Sequence, residues 1–251
     1  GVRLGPYEIS AFVAAGGMGE VYRARHVVLG REVAIKTVGA GLADPAARRR
    51  LIREARHASV LDHPSIGTIY EVGEADGVPF VAMRFVEGRP LSEIVRAGVP
   101  PLGQALEWGI QLADALDHAH GHGIVHRDLK SSNVVVDAAG RPVVLDFGLA
   151  KRVAAGGDAT LDSTLTVEGG VVGTLSHMAP EVLAGQSADA RSDIWSLGVL
   201  LCELFTGELP FRGATPFETV SAILNEPPRI PRGRIPLALR LVIERCLAKP
   251  P

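Results

Sequence analysis

Two carboxylates and a carboxamide stand close together near the middle of this 251-residue chain. Asp128 lies in a His-Arg-Asp-Leu-Lys run, Asn133 follows shortly after it, and Asp146 begins an Asp-Phe-Gly tripeptide. Short apolar runs before and between them predict buried strands that hold these polar groups at strand ends and loop tips. Phosphoryl transfer depends mainly on positioning a hydroxyl and neutralising phosphate charge. We therefore predict that Asp128 orients an acceptor hydroxyl while Asn133 and Asp146 hold magnesium.

Each of these motifs occurs often by chance when it stands alone. An aspartate in a loop is usually a turn or cap residue rather than a catalytic group. The two motifs in this order and at this spacing favour the catalytic interpretation.

A glycine-rich turn and a buried lysine precede the catalytic motifs. The turn covers residues 14–19, where glycine would let the backbone approach phosphate oxygens, although glycine also simply makes hairpins. Lys36 ends the strand-like run Val-Ala-Ile-Lys, and an ammonium inside an apolar strand needs partners. Triphosphate oxygens and Glu54, on a helix predicted over roughly residues 44–61, would supply them.

These motifs together resemble the catalytic domain of Hanks-type serine/threonine protein kinases, most closely the bacterial members. The resemblance covers nearly the whole chain and adds further matches in the family's order: His63-Pro64, Gly173-Thr174, Ala179-Pro180-Glu181 and the run from Ser192 to Val199. It implies an α+β, bilobal fold, with a β-rich small lobe over residues 1–87 and a mainly helical lobe over residues 88–251.

The resemblance implies ATP as the phosphoryl donor, with Mg²⁺ or alternatively Mn²⁺. Met83 would be the gatekeeper and residues 84–88 the hinge, and Lys36 would contact the α- and β-phosphates while pairing with Glu54. The nucleotide site would comprise Val13, Ala14, Gly16, Gly17, Met18, Gly19, Val21, Ala34, Lys36, Met83, Phe85, Val86 and Val135.

The resemblance also assigns catalytic and supporting roles. Lys130 would neutralise the transferring phosphoryl group and Thr174 would bond Asp128, which together indicate serine or threonine acceptors. Asp193, at the start of an apolar helix, would hold the backbone around His126 and Arg127. The catalytic set is then Asp128, Lys130, Asn133, Asp146, Lys36 and Glu54.

Regulation by activation-loop phosphorylation is a further expectation. Residues 154–170 are rich in small and polar side chains and show no periodicity, which indicates a surface loop. Phosphate on Thr164 or Thr166 would dock on Arg127 through charge-assisted hydrogen bonds. Autophosphorylation between two molecules, in a transient homodimer, is expected because the loop does not easily reach its own Asp128. Alternatively, these threonines only keep the loop soluble.

The chain departs from the family pattern at four positions. Ala14 replaces the first glycine of the phosphate loop, and Arg84 stands at a hinge position that is usually Glu. Ala58 removes methylenes from the expected stack of Ile69, residue 58, Phe147 and His126. His177 replaces a tyrosine. Glu181 is expected to lack its usual arginine partner, which the family carries beyond Pro251, so the sequence is expected to be part of a longer protein.

Composition is that of an ordinary globular domain. The chain is 47% hydrophobic and 22% charged with a formal net charge of −2, which argues against nucleic-acid binding. Cys202 and Cys246 lie in apolar helical contexts and are expected to be core residues. No signal peptide or membrane-length apolar run is visible, so a cytoplasmic domain is predicted, with an anchor conceivable in a longer parent protein.

Periodicity predicts two main helices in the larger lobe. Leu106, Ile110, Ala113 and Leu116 recur at three- and four-residue steps and mark one face of a helix that runs towards His120. Residues 192–206 are apolar nearly all round, which predicts a buried central helix.

Two other classes of protein remain as alternatives. A pseudokinase or scaffold would lose Lys36, Asp128 or Asp146, and all three are present. A small-molecule phosphotransferase of the aminoglycoside-kinase type would lack Lys130 and the Ala179-Pro180-Glu181 motif.

Overall fold

The computed structural model describes residues 2–16, 19–37, 45–75, 77–147, 175–231, 233 and 235–249. Its first part is an antiparallel six-stranded sheet with the order β1-β2-β3-β4-β6-β5. One helix, α1 (Pro45–Ala58), packs beside β5. The strands are β1 (Arg3–Leu4), β2 (Tyr7–Gly16), β3 (Gly19–His26), β4 (Glu32–Thr37), β5 (Ile69–Ala75) and β6 (Val78–Arg84).

The second part is mainly helical and carries a small three-stranded sheet. That sheet consists of β7 (Gly88–Pro90), β8 (Val134–Asp137) and β9 (Pro142–Val144), in this spatial order. The helices are α2 (Leu91–Ala97), α3 (Leu102–Gly121), α4 (Pro180–Leu183), α5 (Ala190–Thr206), α6 (Pro216–Asn225) and α7 (Leu237–Cys246). A sheet-rich lobe and a helical lobe confirm the predicted α+β class; the boundary between residues 87 and 88 stays a prediction.

Helix α5 is the centre of the helical lobe, as its apolar sequence predicted. A capping box fixes its start: the Asp189 side chain accepts from the backbone of the first turn, and the Ser192 hydroxyl lies against the Asp189 N–H. Gly207 ends the helix in the left-handed conformation, with φ of 73°. Most α5 side chains between these caps are buried. Among the described helices, none is both long enough and apolar enough to cross a membrane.

Helix α3 confirms the predicted helix, but the face marked by this periodicity is mostly exposed. Leu106 and Ile110 are 38% and 68% exposed, and Ala113 is also exposed, so only Leu116 of the predicted face is buried. The helix has apolar residues on more than one side, and the absence of a side chain at Gly109 allows close packing on Leu201 of α5. The buried face comprises Ala105, Trp108, Gly109, Leu112, Ala115, Leu116 and Ala119.

Two helical glycines should respond oppositely to alanine. A Cβ on Gly198 of α5 would stand 2.7 Å from Cys246 Cβ, whereas a Cβ on Gly103 of α3 would meet nothing within 4 Å. We expect Gly198→Ala to lower the free energy of unfolding by about 1–2 kcal/mol through overpacking. Gly103→Ala should raise it by about 0.5–1 kcal/mol through helix propensity. Urea unfolding measures both, and a stabilised Gly198→Ala would contradict the close α5–α7 contact.

Candidate active site

Asp128 is held by its own loop. Its carboxylate Oδ2 lies 3.0 Å from the Lys130 ammonium and accepts from Asn133 Nδ2 at 3.2 Å. The same Asn133 nitrogen donates to the Asp128 backbone carbonyl at 2.8 Å. The Asn133 amide is thereby turned so that its nitrogen faces Asp128 and its oxygen faces elsewhere. Three of the predicted catalytic residues thus form one hydrogen-bonded group.

Asp193 anchors this loop from below, as predicted. Its carboxylate is fully buried and accepts from the backbone N–H groups of His126 at 2.7 Å and Arg127 at 2.8 Å. It also bonds His120 Nε2 at 2.9 Å, a contact the sequence interpretation missed. Because Asp193 lies in the first turn of α5, it connects the catalytic loop to the best-packed helix of the lobe.

His126 connects the catalytic loop to Asp146. Its Nδ1 accepts from the Asp128 backbone N–H at 3.2 Å, so Nε2 carries the proton and donates to the Leu145 carbonyl at 2.9 Å. The ring packs edge-on against Phe147 at 4.7 Å between centroids. The Leu145 N–H in turn donates to the Asn133 carbonyl at 2.8 Å. These contacts bring the Asp146 segment beside the loop that carries Asn133.

Lys36 pairs with Asp146 rather than with Glu54, which corrects the predicted pairing. Its ammonium lies 2.8 Å from Asp146 Oδ2, and both side chains are largely buried. A desolvated ammonium requires a nearby anion, and Asp146 meets that requirement in this arrangement. Lys36 and Asp146 are thus brought together although 110 residues separate them in the sequence.

Glu54 lies against the catalytic loop instead. Its Oε1 is 3.9 Å from the Arg127 guanidinium, and the two side chains are 11% and 22% exposed. The predicted catalytic glutamate and the predicted regulatory arginine therefore face each other. Arg127, on which the phosphate was expected to dock, therefore already has an anionic neighbour.

Two residues of the site have strained backbones. Arg127 and Asp146 have φ of 69° and 62°, and no other described non-glycine residue has a positive φ. This conformation is unfavourable for residues with a Cβ and tends to persist where surrounding contacts enforce it, often at functional sites. The bonds at Arg127 N and at the Asp146 carboxylate provide such contacts here.

Most of the predicted nucleotide residues lie on neighbouring strands of the large sheet. Val21 pairs with Lys36 across β3 and β4, and Ala34 pairs with Met83 across β4 and β6. Ala14 pairs with Val21, Gly16 pairs with Gly19 at the end of the hairpin, and Val13 precedes them on β2. Phe85 and Val86 follow β6, and Val135 lies on β8 opposite Pro90. Gly17, Met18, Thr164, Thr166 and Thr174 lie outside the described residues.

The departures from the family pattern have structural counterparts. Ala58 is 5% exposed and belongs to the same core as Ile69 and Phe147. Glu181, expected to lack its usual arginine partner, accepts a 2.6 Å hydrogen bond from the Ser192 hydroxyl, a contact that the sequence interpretation missed.

His177, in place of the family's tyrosine, reaches Glu203 of α5 at 3.6 Å. Burial alone would raise the pKa of Glu203, but interactions with His177, Ser131 and Arg96 outweigh it and lower the pKa. The buried carboxylate therefore remains ionised beside the catalytic loop.

Comparison with known proteins finds similarity to protein kinases in every case. The protein kinase domain family matches residues 7–247. Serine/threonine-protein kinase PknB of Mycobacterium leprae is 40% identical over 255 residues, which cover 98% of this chain and 40% of that protein. PknB of Mycobacterium tuberculosis is 37% identical over 254 residues, with the same coverage of both chains. A probable serine/threonine-protein kinase of Streptomyces coelicolor is 40% identical over 233 residues, 90% of this chain and 34% of its own length. The chain therefore spans about two fifths or less of these relatives.

Proposed function

This chain belongs to the protein kinase domain family, as a serine/threonine protein kinase domain of the bacterial type, and we propose that it transfers the γ-phosphoryl group of ATP to serine and threonine hydroxyls of protein substrates. The observation that carries the proposal is the hydrogen-bonded group around Asp128, with Lys130 at 3.0 Å and Asn133 at 3.2 Å from one carboxylate oxygen. A carboxylate fixed in this way can orient a hydroxyl for in-line attack.

Each residue of this group has a distinct task in the transfer. The acceptor hydroxyl donates a hydrogen bond to Asp128, and its oxygen forms the new P–O bond as the bond to ADP breaks. Asp128 receives the hydroxyl proton. The Lys130 ammonium stabilises negative charge on the phosphoryl oxygens, and Asp193 keeps the loop backbone in place.

The donor set around Asp146 suits magnesium. The Asn133 amide turns its nitrogen toward Asp128, which leaves its oxygen as the ligand atom, and Asp146 contributes a carboxylate. Oxygen donors of this kind are the ones Mg²⁺ or Mn²⁺ prefers. The bound cation would neutralise phosphate charge, and Lys36 would exchange its bond to Asp146 for phosphate oxygens.

An assay with several acceptors tests the proposal. Purified protein is incubated with labelled ATP and Mg²⁺, together with a generic basic protein or with a panel of small-molecule alcohols and aminoglycosides. We expect label on serine and threonine of the protein acceptor. Label only on small molecules would indicate the phosphotransferase alternative. ATP binding without any transfer would indicate a pseudokinase.

The proposal includes regulation by phosphorylation at Thr164 or Thr166. Phosphate would add about −1.5 to −2 charges and compete with Glu54 for Arg127, which faces Glu54 at 3.9 Å. Glu54 would then be released toward Lys36. We expect the Thr164→Ala/Thr166→Ala double variant to lose about fivefold to 100-fold in activity, the range of a coupling of 1–3 kcal/mol. Phosphosite mapping after incubation with ATP, and initial rates, measure this.

Arg127→Ala provides the control for that regulation. In an Arg127→Ala background the double threonine replacement should change little, because the phosphate no longer has its cation. Full activity of the double variant, or no phosphate anywhere in residues 158–170, would overturn the mechanism. We further propose that autophosphorylation occurs between two molecules in a transient homodimer. The initial rate of autophosphorylation should then rise with the square of enzyme concentration.

We also propose a cytoplasmic location for this domain.

A further inference from the structure

The unusual arginine of the hinge reaches across to the helical lobe. Arg84 is the last residue of β6, and its guanidinium lies 3.7 Å from Asp137 Oδ2 at the end of β8. The Arg84 side chain is 37% exposed and that of Asp137 only 14%. The arginine therefore connects the last strand of the large sheet to the small sheet of the other lobe.

Asp137 is a fixed partner for this arginine. Its other oxygen, Oδ1, accepts from the backbone N–H groups of Ala139 and Arg141 at 3.0 Å each, within the tight β8–β9 turn. Its backbone is paired with Gly88, where the hinge ends. A Cβ on Gly88 would lie 2.1 Å from the Val136 carbonyl, so the two backbones are in close contact. One carboxylate thus holds its own turn with Oδ1 and faces Arg84 with Oδ2.

Phe85, the next hinge residue, is contacted by the sheet-rich lobe. The guanidinium of Arg23, on β3, lies 4.8 Å over the centre of the Phe85 ring. Two hydrogen bonds to Glu32 of β4, at 3.0 and 2.7 Å, fix the orientation of that guanidinium. Arg84 and Phe85 are consecutive. The peptide that joins them therefore lies between a contact of Arg84 to the helical lobe and a contact of Phe85 to the sheet-rich lobe.

We propose that Arg84 is a positioning residue for nucleotide binding, which holds the hinge in its binding geometry through Asp137. The inference rests on the proposed function, because it requires ATP to bind beside the hinge, whose Phe85 and Val86 are among the predicted nucleotide residues. The guanidinium faces Asp137 Oδ2, so we expect Arg84 to act on the nucleotide through the hinge backbone. A hinge that is already held in place loses less conformational freedom when ATP binds. Removing the contact between Arg84 and Asp137 should therefore weaken ATP binding without slowing phosphoryl transfer.

The test is a double-mutant cycle on nucleotide affinity. The variants are Arg84→Met, which keeps the stem and removes the charge, and Asp137→Asn, whose Oδ1 still accepts both turn N–H groups. Titration calorimetry with a non-hydrolysable ATP analogue and Mg²⁺ gives Kd without requiring turnover. Kd can therefore be measured even in a protein that transfers no phosphoryl group. Each single variant should raise Kd by about threefold to fivefold, the effect of about 0.6–1 kcal/mol expected for a partly exposed ion pair.

The remaining variants distinguish a positioning role of Arg84 from a general effect on the structure. Arg84→Met/Asp137→Asn should match either single variant, because the two changes remove the same contact. Arg84→Lys should restore Kd to within about twofold of the wild type, and the peptide kcat of all variants should stay within about twofold. Arg229→Met, which removes a 2.7 Å ion pair to Glu226 remote from the hinge, is the matched control and should not change Kd.

Three binding results would overturn this inference. They are an unchanged Kd in both single variants, a double variant whose Kd is the product of the two single effects, and a wild-type protein that does not bind the analogue. A fall in kcat without a change in Kd would also contradict it.

Discussion

Asp146→Asn and Asp128→Asn should each lower the rate of phosphoryl transfer by at least about a hundredfold, the size of a typical acid–base or charge contribution. Asp146→Asn replaces the charged oxygen donor that also bonds Lys36 at 2.8 Å. Asp128→Asn removes the anion that receives the hydroxyl proton, while an amide of the same shape still bonds within the loop. Initial rates with a protein acceptor under saturating ATP measure both effects.

Asp114→Asn is the matched control for this pair of variants. Asp114 is 71% exposed and bonds His63 on the surface, so the same chemical change there should leave the rate unaltered. Circular dichroism and thermal unfolding check that all three variants remain folded. If either catalytic variant kept more than about a tenth of the wild-type rate, a loss of only ~1.4 kcal/mol, the assignment of Asp128 and Asp146 would be wrong.

Removing the buried carboxylate of Asp193 should produce the largest loss of stability. Asp193→Ala leaves two backbone N–H groups and the His120 ring without their acceptor in a fully buried place. Each unsatisfied buried donor costs about 1–3 kcal/mol. We expect the free energy of unfolding to fall by about 3–5 kcal/mol, measured by urea denaturation, with loss of transfer activity in the protein that remains folded.

Asp189→Ala provides the comparison on the same helix. Asp189 caps the start of α5 from an exposed position, so its removal should cost only about 0.5–2 kcal/mol. Similar losses in the two variants would show that Asp193 acts only as part of the helix start. An Asp193→Ala protein of near wild-type stability would contradict its role as the anchor of the catalytic loop.

The catalytic loop was predictable because its contacts are local or lead to a recognisable motif. Asp128, Lys130 and Asn133 are close in sequence, and the residues around Asp193 form a helix start with an apolar continuation. Such features depend on spacing and capping, which a sequence displays directly. The same holds for the burial of α5.

The ion pairs across the site were not predictable in this way. Lys36 has two candidate anions, Glu54 and Asp146, and only the relative placement of a helix and a distant loop decides between them. The Glu181–Ser192 bond was missed because only an arginine was considered as a partner for Glu181. A side chain's partner depends on three-dimensional proximity, which residue type alone does not determine.

The sequence did not reveal which face of α3 is buried, for a different reason. The apolar residues Leu106 and Ile110 satisfy helical periodicity, yet both are exposed. Close packing against α5 selects the face with Gly109 and alanines, because a Cβ on Gly109 would already stand 3.0 Å from Leu201. Hydrophobic periodicity identifies a helix more reliably than it identifies which of two apolar faces is buried.

Phosphosite analysis of a protein acceptor after reaction with the wild-type domain and with Asp128→Asn tests the central claim most directly. The acceptor is incubated with ATP and Mg²⁺, and the phosphorylated residues are identified and quantified by mass spectrometry. The account predicts phosphoserine and phosphothreonine from the wild-type protein and at most about one hundredth as much from Asp128→Asn. Phosphate on tyrosine alone, or equal phosphate from both proteins, would contradict it.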